Sequence, residues 1–482
     1  MSSEEKILVS SINGSEKSIS LDIEIQKEIE QLEWKDHFLP NVKEVFKIER
    51  LTTGEPLRII ASNEAISLIN RWIKFLMEKT GSESRTDETL NTLLELLRCL
   101  RNCTSNLQTQ DYINEKTNIL DHTVKLFEIV FKVNKDHLLL KVILQFLNNF
   151  ISSNEKTSRT VYNLFFNLAK SCLKENINIY ETSALIYNIS LFIPIQDLDI
   201  FHSILSIFKN ENYDEMDHYE FLHFFLEKSI GTKEFWTIYT DFPLNDKTTM
   251  LDYFKHLLIQ KRNLTIHDEG LRTLVNTILT SSDIIFQTRE CSESDQELIN
   301  EISLTLEILS SLSSDENYLK KLQTNKDLFI NAGVLLINVH RLGKEPNSCF
   351  TPLQKLSELG KPTEGLKNHP AFGFKADLIR LIGNMCWKNP EMQNLARTAE
   401  LIPVILDSCN IDARNPFIIQ WAILAIRNLL ENNIENQKIV ADLHQTGVVP
   451  VEVLNQLGLT LHSEGENEIR VVPLDDLRKR AQ

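Results

Sequence analysis

Residues 415–437 read NPFIIQWAILAIRNLLENNIENQ. From Phe417 to Leu430 the stretch is apolar on nearly every face of a helix, and it closes in a run of asparagines. It is too short to span a bilayer, which takes roughly 18 or more consecutive apolar residues. A helix lying on a globule would keep one polar face. The remaining solution is a helix sandwiched between neighbouring helices. Ile418, Ile419, Trp421, Ala422, Ile423, Ala425, Ile426, Leu429 and Leu430 supply the surface for it. Pro416 is tolerated at the start, because the first N–H groups of a helix lack partners in any case. Asn428 falls near the end, where its side chain can bond backbone groups left unpaired there.

The stretch has a twin upstream. Residues 378–393 read LIRLIGNMCWKNPEMQ, so that Asn384 matches Asn428 and Gln393 matches Gln437, each 44 residues apart. Beyond them, Leu401 to Leu406 (LIPVIL) matches Val448 to Val453 (VVPVEV). Each unit reads as a buried helix ending in Asn, a turn with Asn and Gln, a second helix, a break, and a helix opened by Pro. Weaker copies place Asn102, Asn148 and Asn188 in the same slot, in steps of 46 and 40 residues, and 306–312 with 331–336 form a more degenerate one. A period of roughly 40–47 residues with two or three helices per unit is the armadillo/HEAT signature. The sequence therefore predicts an all-α, armadillo/HEAT-like α-solenoid, a right-handed superhelix. The stretch 200–290 does not fit the register.

Only 14 glycines and 13 prolines interrupt 482 residues, as long helices require. Four of those prolines (Pro346, Pro352, Pro362, Pro370) crowd into 343–373, which reads as a loop. The expected organisation is a disordered 1–20, an irregular helical array over 21–342, the loop at 343–373, a C-terminal array over 374–460, and a tail at 461–482 with an extended piece at Ile469–Val472. Polar or acidic breaks are expected at Gly81–Glu88 and Cys291–Asp295.

The net charge of −16 disfavours nucleic acid, which needs clustered Lys and Arg. An acidic chain suits either plain solubility or basic protein partners. The polar, acidic start MSSEEK predicts no secretory signal, and no apolar run predicts membrane insertion. Seven scattered cysteines then read as reduced thiols in a cytoplasmic protein.

Catalytic and metal motifs are sparse. Glu220 and His223 have Glu-x-x-His spacing, but a di-iron site needs that motif twice with further carboxylates. Cys99 and Cys103 share a helix face, yet two thiolates alone make a poor metal site. No phosphate loop, nucleophile elbow or His-Glu-x-x-His occurs. The expectation is no enzyme, no cofactor and no metal. The asparagine series remains. An amide both donates and accepts, so it can grip a peptide backbone, or it can cap helices. Trp387 lies three residues after Asn384 and Trp421 seven before Asn428, while Arg380 and Arg427 sit on otherwise apolar helices and need polar partners or an open groove. Asn384, Trp387, Arg380, Arg427 and Asn428 form the candidate partner-binding set.

The residues carry a more specific signal. HPAFGFKADLIRLIGNMC (369–386), CNIDARNPF (409–417) and WAILAIRNL (421–429) closely resemble the C-terminal domain of the ataxin-10 family. The strong likeness covers about a hundred residues, and the N-terminal two-thirds agrees only in being helical and repetitive. The resemblance implies a cytoplasmic, armadillo-type, non-enzymatic protein. The resemblance also implies action through other proteins in cytokinesis and, in animal relatives, in neurite outgrowth and neuronal survival. An alternative from the charge and the asparagines is a receptor for extended basic peptides of client proteins.

Overall fold

The computed structural model describes residues 63–80, 87–104, 106–134, 137–209, 219–260, 264–287, 293–345, 348–353, 371–443, 458–463 and 469–473. By its internal contacts the chain divides into two compact units, Met1–Ile238 and Tyr239–Gln482. The expected 1–20 segment, the Gly81–Thr86 part of the first break and the Val448–Val453 helix lie outside the described residues.

The first unit holds α1 (Asn63–Thr80), α2 (Asp87–Cys103), α3 (Leu107–Lys116), α4 (Ile119–Ile129), α5 (His137–Ile151), α6 (Glu155–Lys174), α7 (Ile179–Ser190), α8 (Leu198–Phe208), α9 (Glu220–Ile230) and α10 (Lys233–Tyr239). Their starts are set by local chemistry. Asn106, Asn154 and Asp197 each accept backbone N–H groups of the first turn that follows, a cap that contributes about 1 kcal/mol. Helices α2, α5, α7 and α9 pack side by side as a row, and the others pack onto it. Phe146, Phe150, Phe165, Phe201 and Phe225 are among the fully buried side chains, each stabilising the fold by about 1.5–3 kcal/mol before entropy.

The second unit runs α11 (Leu244–Ile259), α12 (Asp268–Ser281), α13 (Glu293–Leu312), α14 (Glu316–Leu322), α15 (Lys326–Leu342), α16 (Phe374–Met385), α17 (Pro390–Thr398), α18 (Leu401–Asp407), α19 (Ile418–Leu430) and α20 (Ile434–Ala441). A second row is formed by α11, α13, α16 and α19. Two three-helix repeats follow one another, α14–α15–α16 and α17–α18–α19. Strands β1 (Leu459–Ser463) and β2 (Ile469–Pro473) pair antiparallel, with Leu461 opposite Val471.

Three expectations change. The acidic Cys291–Asp295 stretch is helical from Glu293, because acidic groups in a first turn meet the positive end of the helix dipole. The 343–373 loop does not mark the division between units, since its described ends both belong to the second one. Leu353 N donates to Asp412 Oδ1 (3.0 Å), and Ala413 N donates to Leu353 O (3.0 Å). Finally, α19 is not enclosed on every side. Ile423 is 62% exposed and Arg427 is exposed, because no further row helix follows α19 among the described residues.

Candidate functional site

The repeat asparagines act along the rows. In the first unit Asn188 Nδ2 donates to Asn148 Oδ1 (2.8 Å), but Asn148 Nδ2 donates forward to Glu181 O on α7 (2.9 Å), and it is the next residue, Asn149, whose Nδ2 reaches Arg101 O at the end of α2 (2.9 Å). In the second, Asn384 Nδ2 donates to Ser313 Oγ (2.9 Å) just past α13, and Asn428 Nδ2 donates to Gly383 O (2.9 Å) in α16. Asn148 apart, the end of one row helix reaches back to the end of the one before it. Lys228 holds the same slot on α9, 40 residues after Asn188, and its Nζ donates to Ser190 O at the end of α7. The slot thus persists through part of 200–290, but without its asparagine, so the sequence register is lost there. Burial lowers the pKa of that lysine.

A second device explains Gln393 of the matched pair. Gln393 Nε2 donates to Cys386 O at the end of α16, and to Asn428 O (2.9 Å) and Glu431 O (3.2 Å) at the end of α19. Gln110 Nε2 does the same between α2 and α5, reaching Thr104 O (2.9 Å), Asn149 O (2.9 Å) and Ser152 O (3.3 Å). Each glutamine staples the last-turn carbonyls of two row helices, which a helix cannot satisfy itself. Both are fixed from the other end: Asn154 donates to Gln110 Oε1 and Asn433 to Gln393 Oε1. Gln323 Nε2 donates to Met385 O and Trp387 O, both at the end of α16. The 44-residue offset singles out Gln393 in the sequence, but it pairs it with Gln437, which donates only to Leu430 O; the stapled partners are legible only once the helices are neighbours.

The candidate residues separate into two kinds. Asn384 and Asn428 are buried and their amide N–H groups are used internally. Arg380, Trp387 and Trp421 are half-buried and Arg427 is exposed. The guanidinium of Arg380 stacks over the Trp421 ring at 4.5 Å and donates to Ser311 Oγ (3.2 Å) and Ser314 Oγ (2.9 Å). Lys388 Nζ lies over the Trp387 ring, also at 4.5 Å. One turn before Arg380, Asp377 accepts from Ser310 Oγ (2.8 Å). Burial and then nearby Glu307 push its carboxyl up to about 7, against the opposing pull of Ser310 and Arg380. Nothing in the local sequence signals that buried acid, because its neighbours come from α13.

Two features bring α16 and α19 together. A Cβ on Gly383 would stand 2.7 Å from Ala425 Cβ, so only glycine permits this approach, and the approach places Gly383 O within reach of Asn428. The turn before α19 also holds the start of α16. Asn415 Oδ1 accepts from Lys375 N (3.1 Å) and Ala376 N (3.2 Å), and Asn415 Nδ2 donates to Asp412 Oδ2 (2.6 Å). The family-like stretch 409–417 is therefore a clamp on the preceding row helix.

The sparse catalytic motifs have ordinary surroundings. Glu220 is exposed, and the His223 ring packs on Phe208 at 4.9 Å. Cys99 and Cys103 are buried, and burial pushes the Cys103 thiol up to about 12. Among the described residues no three His, Cys, Asp or Glu side chains are grouped to hold a metal ion, and no helix is long and apolar enough to cross a membrane.

Residues 374–472 match the profile of the spinocerebellar ataxia type 10 protein domain, which begins at α16 and takes in both the Arg380–Trp421 stack and the Asn415 clamp. Ataxin-10 of Xenopus tropicalis is 30% identical over 396 residues, spanning 78% of this chain and 79% of its own. Human ataxin-10 is 29% identical over 402 residues, with 79% and 82% covered. A Dictyostelium discoideum ataxin-10 homolog is 44% identical over 87 residues, 18% of this chain and 14% of its own. With likeness extending over most of the chain as well as through its C-terminal rows, the protein belongs to the ataxin-10 family.

Proposed function

We propose that the chain is a non-enzymatic, cytoplasmic scaffold that binds other proteins, and that its cellular role is in regulating cytokinesis. The observation that carries the binding reading is the cation–aromatic pair on the second row. Arg380 over Trp421 is half-buried and closed by hydroxyls rather than by a carboxylate, and arginine and tryptophan are the side chains that anchor protein interfaces. Trp387 and Arg427 extend the candidate face, while Asn384 and Asn428 support it from within. The cytokinesis role rests on the family resemblance. The neuronal roles of animal relatives are a narrower transfer. The alternative of a receptor for extended basic peptides draws on the acidic net charge, but the arginines on both rows weigh against it.

The test is to recover the tagged protein from its own cells and compare wild type with Arg380→Glu/Trp421→Ala and with Asn384→Ala/Asn428→Ala. Loss of defined partners from a folded Arg380→Glu/Trp421→Ala variant supports the face. Retention of all partners by that variant removes it. Normal cell division after depletion would sink the cytokinesis role.

A further inference from the structure

The first unit carries a second surface with different chemistry. Arg101, Gln145, Asn148, Tyr180, Asn188 and Phe221 line one open hollow of about 480 Å³ on the row α2–α5–α7–α9. Its two charged lining residues, Arg101 and Glu181, are partnered differently, Glu181 by a lysine from beside the hollow. Glu181 is answered by Lys141 (Nζ to Oε1, 3.2 Å) and by Gln145 Nε2 (3.1 Å). Arg101 is held by neutral amides only: Nη1 donates to Gln145 Oε1 (2.8 Å), and Nε and Nη2 donate to Asn102 Oδ1. No carboxylate lies within ion-pair distance of Arg101 among the described residues. An arginine fork preorganised by amides in a concave, partly desolvated place is built for a carboxylate.

Beside it stands an aromatic shelf. Tyr180 and Phe221 pack edge to face at 5.2 Å, and Tyr187 joins Phe221 to Phe224. These rings are not sealed, for Tyr180 is 46% and Phe224 37% exposed. Between cation and shelf, Asn188 Nδ2 is bound to Asn148, while Asn188 Oδ1 accepts nothing from the described residues and suits a peptide N–H.

We infer that this hollow binds an extended acidic peptide, with an Asp or Glu carboxylate on Arg101 and an apolar or aromatic side chain on the Tyr180–Phe221 shelf. The inference rests on the protein-binding reading above and gives it a second site and a partner chemistry. Arg101 reaches across to Gln145 on α5, and the shelf begins on α7, so one helix spacing separates the two subsites. Packed helices stand roughly 8–10 Å apart and an extended chain advances about 3.3 Å per residue. The acidic and apolar residues should therefore be about three positions apart. The charge assignment is opposite to what the net charge of −16 suggests, since the local balance of Arg101, Lys141 and Glu181 is positive.

The experiment is selection of phage-displayed random dodecapeptides on the full chain, with fluorescence anisotropy of the selected peptides on folded variants. Enrichment of Asp or Glu about three positions from an apolar or aromatic residue is expected. Arg101→Glu should weaken the selected peptide at least tenfold and Tyr180→Ala severalfold, while Arg101→Lys keeps part of the binding. Circular dichroism melting checks each variant, and the exposed Tyr180 change serves if Arg101→Glu does not fold. Enrichment of basic peptides, no enrichment, or equal binding by folded Arg101→Glu or Tyr180→Ala would each overturn the proposal. Recovery of cellular partners by wild type alongside any of those results leaves the scaffold reading standing. Failure to recover any partner removes that reading separately.

Discussion

The two rows of this protein solve the same problem with different residues. Both carry a slot near the end of a row helix that donates a hydrogen bond backwards, and both carry a buried glutamine that staples two helix ends. They part company in how closely the helices approach. On the second row Gly383 lies against Ala425, and Asn384 and Asn428 are buried. On the first, Asn148 and Asn188 are only half-buried and Tyr180 is open to solvent. A slot residue is thus structural in both rows. On the first row it also stays half-exposed.

The buried acids give the largest contrast. Glu181 on the first row has a lysine and an amide as partners, whereas Asp377 on the second has a serine hydroxyl. An unfolded Asp titrates near 3.9, and folded Asp377 holds its proton to about 7. Between those values the folded state binds more protons, so this contribution to stability is lost as pH rises through the window and stays flat above it. The linkage is worth up to ~4 kcal/mol. Asp377→Asn should therefore stabilise α16 at pH 8 and flatten its stability between pH 4 and 7, read by hydrogen exchange of its amides. An unchanged pH profile would show that the carboxyl is ionised in the fold.

The glutamine staples should behave alike in both units. Gln393→Ala and Gln110→Ala each remove the amide donor shared by three last-turn carbonyls, of which Cys386 O and Asn149 O keep a backbone N–H, and each should cost ~2 kcal/mol. Gln437→Ala loses one exposed bond to Leu430 O and should cost less than ~0.5 kcal/mol. Denaturant titration of the single variants decides it, and equal costs for Gln437 and Gln393 would break the staple account. Gly383→Ala tests the close approach directly. The added methyl should destabilise the second unit by ~2 kcal/mol and weaken the Asn428 bond, and Ala425→Gly in the same chain should recover part of the loss.

The slot asparagines give the smallest difference. Asn428→Ala leaves Gly383 O without its donor in a buried place and should cost ~1–2 kcal/mol. Asn188→Ala frees a half-exposed amide and should cost less than ~1 kcal/mol. Equal losses in thermal melting would mean that the two rows are packed alike.

Repetition, helical content and the apolar row helices follow from the order of residues alone. The period near 44 residues, the asparagine caps and the scarcity of glycine and proline are local properties, and local chemistry starts and ends each helix. What each polar side chain bonds to is not local. Sequence spacing put Trp421 with Asn428 and Trp387 with Asn384, yet Trp421 stacks on Arg380, some forty positions away. Lys228 fills a slot that a search for asparagine passes over. Asp377 titrates high because of burial and Glu307, against the pull of Ser310, and its own helix discloses none of these. A helix end can satisfy its carbonyls in many ways, and only the arrival of a particular neighbour selects one. The sequence of this ataxin-10 family member thus determines that rows form. The packing of one row helix on the next decides which amides are consumed inside and which arginines face outward.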